Sequence, residues 1–205
     1  MEDTQQHLND LKEIRSMMER SSRFISLSGL SGIFAGIFAL AGAAAAWWYL
    51  EMRWDFPYDP NMDRSLEFLL FFIADASTVL ILAISFAIFF TTRQARKKGQ
   101  KIFDKTTLRL LSNIALPLAT GGFYCLALLY YAPGLVAPSM LIFYGLALLN
   151  GSKYTLNDIR YLGVSEIILG LINLLYLGYG LLFWALGFGI LHILYGTIMY
   201  FKYEK

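Results

Sequence analysis

The sequence predicts an all-α polytopic membrane protein: a bundle of six transmembrane helices, both termini cytoplasmic, with a short amphipathic helix ahead of the first span. Three observations predict it. The 205 residues are 57% hydrophobic and only 16% charged, against roughly 45–50% and about 25% in soluble domains. Apolar stretches near the about 20 residues that cross a bilayer recur six times along the chain. The basic residues fall almost entirely on one side of those stretches. Mean hydropathy is +0.52, which excludes a disordered chain and an ordinary water-soluble enzyme, because so small a chain cannot bury that much apolar surface behind a water-facing shell.

Residues 1–23 precede the membrane domain of residues 24–205. Within residues 4–20, Leu8, Leu11, Ile14 and Met18 recur at helical spacing among Glu and Lys, a stripe suited to lipid headgroups or to docking on a partner. Five acids and the lack of an apolar core before Phe24 set this segment apart from a cleavable signal. The spans are predicted at about 24–50, 66–91, 108–131, 135–150, 161–177 and 180–200. The last two are divided at Gly178-Tyr179-Gly180, because together they are too long for one crossing. Trp47, Trp48 and Tyr49 close the first span, Tyr130 and Tyr131 the third, and Tyr200 and Tyr203 the sixth, as rings that prefer the headgroup region.

Orientation follows from the lysines and arginines, since basic loops stay cytoplasmic. Fifteen of the 17 fall on one side: Lys12, Arg15, Arg20 and Arg23; Arg93, Arg96, Lys97, Lys98, Lys101, Lys105 and Arg109; Lys153 and Arg160; Lys202 and Lys205. Only Arg53 and Arg64 fall opposite, in a loop with Glu51, Asp55, Asp59 and Asp63. Basic residues from Arg93 to Arg109 fix topology and are also placed to meet anionic lipid. The expected setting is a bacterial cytoplasmic (inner) membrane. With a net charge of +2, nothing favours nucleic acid. The single Cys125 excludes an internal disulfide, and two histidines are too few for a His-rich metal centre, so neither metal nor cofactor is expected. The asparagine of Asn150-Gly151-Ser152 fits a glycosylation triplet but falls on the cytoplasmic side.

Polar residues inside the spans are few, and each costs at least about 2.5–3.5 kcal/mol when charged, so they mark packing clusters or sites. Asp75, Thr78 and Ser85 share one side of the second helix; Glu166, Gly170 and Asn173 one side of the fifth; and Ala185, Gly189, His192 and Gly196 form a small-residue stripe on the sixth. At about 1.5 Å per residue, Asp75 and His192 lie at compatible depths and Glu166 lies near the cytoplasmic boundary. The expectation is an inward polar region between the second, third, fifth and sixth helices, with Asp75, His192, Asn173, Glu166 and Thr78 as proton- or ligand-binding candidates. The alternative is a buried cluster that only fixes helix packing. Pro117, followed by Gly121 and Gly122, is expected to kink or open the third helix, and glycines 187, 189 and 196 to interrupt the sixth. Ser28, Gly32 and Gly36 form a small-residue ridge for close contact within the subunit or between two copies.

The stretch from Met18 to Gly32 and His192-Ile193-Leu194-Tyr195-Gly196 resemble uncharacterised small bacterial six-helix integral membrane proteins, a likeness that implies no activity. Six spans with a histidine in the last also resemble rhomboid proteases, but Ala137-Pro138-Ser139-Met140 stands where those enzymes carry Gly-x-Ser-Gly. No P-loop, paired catalytic carboxylates or metal-ligand spacing appears. Binding or movement of a small solute or proton through the polar interior is the leading functional expectation. A non-catalytic sensor or assembly subunit is the alternative, and intramembrane hydrolysis a remote one.

Overall fold

The computed structural model describes residues 27–52, 66–99, 102 and 104–205. The expected amphipathic helix at 4–20 and the loop carrying Arg53 and Arg64 lie outside these residues. Six helices follow in order: α1 (Gly29–Glu51), α2 (Leu66–Lys97), α3 (Lys105–Tyr131), α4 (Val136–Gly151), α5 (Asp158–Asn173) and α6 (Leu177–Tyr203). The described residues contain no strand. Single 3₁₀ turns, Pro133–Leu135 and Ser152–Tyr154, extend α4 at both ends. Five of the helices, all but α5, are long and apolar enough to cross a membrane. α5 has 16 residues, about 24 Å at the α-helical rise.

The helix limits differ from the sequence reading where a polar group fixes the end. α1 starts at Gly29 rather than Phe24, because Ser28 is extended and the Glu204 carboxylate accepts the Gly29 N–H and, at 3.2 Å, the Ser28 hydroxyl. A carboxylate there satisfies an orphan amide and meets the positive end of the helix dipole. α3 starts at Lys105 because Asp104 accepts the Thr107 amide at 2.7 Å; that bond holds the Asp104 carboxyl below the usual carboxylate range. α5 ends at Asn173, whose Nδ2 donates to the Tyr176 carbonyl at 3.1 Å, so the turn into α6 begins earlier than Gly178.

Helices consecutive in the chain are antiparallel, as are α1 and α6, and the closest pairs meet at glycines. On α1, Gly29, Gly32 and Gly36 lie against Tyr200, Gly196 and Gly189 with Ile193 on α6. A Cβ on Gly196 would sit 2.6 Å from the Ile33 amide nitrogen and 2.7 Å from the Gly29 carbonyl. The two backbones therefore touch directly. α4 and α5 repeat this arrangement, with Gly145 against Gly163 and Gly170 against the Pro138 carbonyl and Leu141. Lipid tails are as apolar as leucine, so such close van der Waals contact supplies much of the association between membrane helices.

The outer helices attach differently. α2 leans on α1 through Phe34 stacked on Phe90 at 5.2 Å, Phe38 edge-on to Phe86, and Tyr49 stacked on Phe71 at 3.9 Å. α3 leans on α4, where Gly121 forms a seat for the Phe143 ring and Gly151 receives Ile114. Both outer helices leave large apolar side chains uncovered, among them Leu80, Ile81, Leu116 and Phe123. These contacts place the start of α1, the end of α2, the start of α3, the end of α4, the start of α5 and the end of α6 at one end of the bundle. Arg93, Lys105, Lys153, Arg160 and Lys202 stand at that end. There Asp158 accepts from Lys202 Nζ at 3.0 Å and from the Tyr203 hydroxyl at 2.5 Å, tying α5 to α6. Partial burial alone would raise the Asp158 carboxyl, but these two hydrogen bonds and the lysine charge outweigh it and hold it below the usual carboxylate range.

Two outcomes test this packing. Gly196→Ala is expected to destabilise the folded protein by about 1–3 kcal/mol, because the methyl meets backbone that cannot step aside. Gly122→Ala, with nothing within 4 Å of the added carbon, is expected to be neutral or to stabilise by up to about 1 kcal/mol. Thermal unfolding in detergent checks both. For Asp158, a carboxyl lowered in the folded state contributes stability above its unfolded pKa, about 3.9, and loses it as pH falls through the lower folded value. Asp158→Asn should therefore melt below wild type at pH 7, and the difference should close below about pH 4.

Candidate functional site

The three helices α4, α5 and α6 enclose the buried polar cluster of the described residues. Tyr144 lies on α4, Glu166 on α5 and His192 on α6. Counted from the shared end of the bundle, Tyr144 is seven residues before the end of α4, Glu166 eight after the start of α5 and His192 eleven before the end of α6. These offsets put all three roughly 10–16 Å deep at about 1.5 Å per residue. The sequence reading places Glu166 close to the boundary; the helix starts at Asp158, three residues before Tyr161, and so carries Glu166 deeper.

His192 fixes the chemistry of the cluster. Its Nδ1 stands 3.0 Å from the Gly187 carbonyl, and its Nε2 stands 2.6 Å from the Tyr144 hydroxyl. A carbonyl only accepts, so Nδ1 carries the proton and donates, and in the neutral ring Nε2 accepts from Tyr144. The Glu166 carboxyl also approaches Nδ1, with Oε1 at 3.5 Å. Glu166 is 0% exposed, and neither of its oxygens has a hydrogen-bond partner. Buried oxygens left in that state are costly unless charge or a proton compensates them.

The backbone of α6 is adapted around this group. Ala185–Leu191 forms a π-helical segment between the α-helical stretches Gly180–Trp184 and His192–Tyr203. Wider turns of this kind recur at functional sites. Gly187 lies inside the segment, and a Cβ there would come within 2.5 Å of Glu166 Oε2 and would also strike Leu141. Only a glycine leaves Glu166 its place. Phe188 stacks on the imidazole at 5.9 Å between ring centres and tilts toward Tyr144 at 5.0 Å, which lines one side with aromatic carbon.

The other sequence candidates go elsewhere. Asp75 and His192 are not brought together. α2 packs on α1, where Asp75 is half-buried beside Gly42, while the imidazole is engaged by Tyr144, Gly187 and Glu166. Thr78 is exposed and its hydroxyl returns to the Ala74 carbonyl at 2.8 Å. Asn173 is fully buried but sits at the far end of α5, seven residues from Glu166; its Oδ1 has no partner. The polar interior therefore belongs to α4, α5 and α6 and not to α2 and α3. α3 continues unbroken through Pro117, Gly121 and Gly122, and the departure from α-helix falls in α6, around Gly187 and Gly189, two of the three glycines expected to interrupt it. Pro117 has no N–H to give to Asn113, and the freed Asn113 carbonyl accepts Asn150 Nδ2 from α4 at 3.4 Å.

Tyr144 is the member of the cluster that sequence reasoning missed, whereas Gly187 was read only as one of the glycines interrupting the sixth helix. A tyrosine in mid-span needs a buried partner for its hydroxyl, and that was the available signal. No group of three or more His, Cys, Asp or Glu side chains among the described residues is arranged to hold a metal ion. The hydroxyl at the imidazole belongs to a tyrosine, whereas the serine of Ala137-Pro138-Ser139-Met140 lies toward the opposite end of α4.

Tyr144→Phe should cost about 1–3 kcal/mol in a detergent unfolding assay, since it leaves the imidazole Nε2 buried and unpaired. Gly187→Ala should be at least as damaging, by pushing Glu166 out of its place. No protein-family model matches the chain, and neither a curated protein nor a solved structure matches it.

Proposed function

We propose that this is an integral protein of the cytoplasmic membrane in which the Tyr144–His192–Glu166 cluster binds and exchanges one proton, with the packing of α6 against α4 and α5 responding to it. The observation that carries this reading is Glu166, a fully buried carboxyl whose oxygens lack hydrogen bonds and whose nearest titratable neighbour is an imidazole at 3.5 Å. With one titrating proton the pair is neutral overall as acid with imidazole or as carboxylate with imidazolium; Nδ1 keeps its proton toward Gly187 in both, so the proton that Glu166 releases and the one that the ring gains at Nε2, on the Tyr144 side, are exchanged with the surroundings and not by a direct hop. A neutral pair avoids most of the cost of a charge in hydrocarbon.

The two arrangements differ across the α4–α6 contact. With a neutral ring, Nε2 accepts from the Tyr144 hydroxyl; an imidazolium donates at both nitrogens, so the tyrosine must turn and accept. The proton's position thus sets the direction of a hydrogen bond between helices, beside a π-helical segment able to take up small shifts. The side chains around His192 are packed on one another, and the cavity between α3 and α4 reaches neither Glu166 nor His192. α5 completes a sixth crossing together with the irregular residues that follow it, and the end bearing Arg93, Lys105 and Lys153 faces the cytoplasm, as basic loops do.

A second reading, as a subunit of a membrane assembly, is favoured by α2, which leans on α1 and leaves Thr78 and most of its apolar surface uncovered.

Infrared difference spectra of lipid-reconstituted protein test proton exchange at the cluster. A carboxylic acid band that changes with pH in wild type should vanish in Glu166→Gln, and His192→Asn should move the pH at which it changes. Coincident spectra for wild type and Glu166→Gln would overturn the assignment.

A further inference from the structure

A second feature, separate from the buried cluster, lies on the outside of the bundle between α3 and α4. It is a groove of about 420 Å³ lined by Pro117, Thr120, Phe143 and Leu146, with Asn150 and Lys153 at one end. The groove exists because the two helices meet only at intervals. Phe143 seats on Gly121 at its inner end, and Ile114 against Gly151 closes the contact near its outer end. From Phe143 to Lys153 is ten residues, about 15 Å along a helix, which is half of the about 30 Å hydrocarbon core. The groove therefore covers the depth of one leaflet, with its cation at the headgroup level.

We infer that this groove binds one anionic glycerophospholipid, an acyl chain lying against Pro117, Phe143 and Leu146 and the phosphate meeting Lys153. The lining is apolar along its length, none of the residues lining it is acidic, and the basic end is exposed. Arg109 stands two helical turns before the groove-lining Leu116 on the same face of α3 and adds a second positive charge near that end. Asn150 spends one N–H on the Asn113 carbonyl and keeps another for a headgroup oxygen. The Asn113 carbonyl, freed because Pro117 has no N–H, would otherwise repel a phosphate, so the asparagine both covers it and presents a donor.

The test is native mass spectrometry of the full chain released from vesicles of equimolar phosphatidylglycerol and phosphatidylcholine. The expected result is one retained lipid per chain with phosphatidylglycerol in excess. Lys153→Gln, at an exposed position, should reduce that excess about fivefold. Leu146→Trp, which fills the groove, should abolish retention of either lipid while the melting temperature stays near wild type. Equal retention of the two lipids overturns the inference, as does retention unchanged by both substitutions. So does a dimer that Leu146→Trp dissociates, since that places a second copy in the groove.

Discussion

The close approach of α1 to α6, and of α4 to α5, is the constraint on which the remaining structure depends. In hydrocarbon no water is released when apolar helices associate, so the gain comes from contact between atoms at optimal distance and is large only where side chains do not hold the backbones apart. Gly29, Gly32 and Gly36 facing Gly189 and Gly196, and Gly145 facing Gly163, remove that obstacle. Once α6 is fixed on α1 and α5 is fixed on α4, the Lys202–Asp158 and Tyr203–Asp158 contacts join the two pairs at one end. The Tyr144–His192 hydrogen bond and the Glu166–His192 approach join them within the bilayer.

The same glycine logic places the polar cluster. Glu166 could not lie beneath α6 if residue 187 carried a side chain, and the π-helical segment presents the Gly187 carbonyl to the imidazole that Glu166 also approaches. Structure and chemistry meet in one group there, because the carboxyl that makes the packing expensive is the one proposed to exchange a proton. A cluster serving packing alone would be satisfied by neutral hydrogen-bonded side chains. A carboxyl with two unbonded oxygens beside an imidazole fits poorly with that role and well with a site that takes up and gives back a proton.

The outer helices follow a looser rule. α2 and α3 rest on the bundle through aromatic stacking and glycine seats at Gly121 and Gly151, and present most of their surface outward. Their surfaces are where contact with lipid or another subunit is decided. The α3–α4 groove, with Lys153 at its end, is the most defined of these features. One of its lining residues is Pro117: α3 continues through it, and the carbonyl it leaves free, that of Asn113, accepts Asn150.

Among the described residues, the number of helices, their order and the end of the bundle to which each belongs were legible in the chain. Runs of apolar residues need a length set by the bilayer, and lysines and arginines mark one side whatever the packing. Helix faces were legible as well, since Glu166 and Asn173, or Gly189, His192 and Gly196, share a side by spacing alone. Spacing within a helix says nothing about which other helix the face meets. Asp75 and His192 matched in depth, but depth is one coordinate and pairing needs three; the glycine contacts put α6 between α1 and the α4–α5 pair and gave His192 to Glu166 and Tyr144. The ends of α1 and α5 likewise depended on Glu204 and Asn173 finding partners that are distant in sequence or lie beyond the helix end. The sequence by itself determined which residues must leave water, because transfer to lipid is a sum over local stretches; only the tertiary structure decided which polar groups meet inside, because that depends on close contacts between residues far apart in the chain.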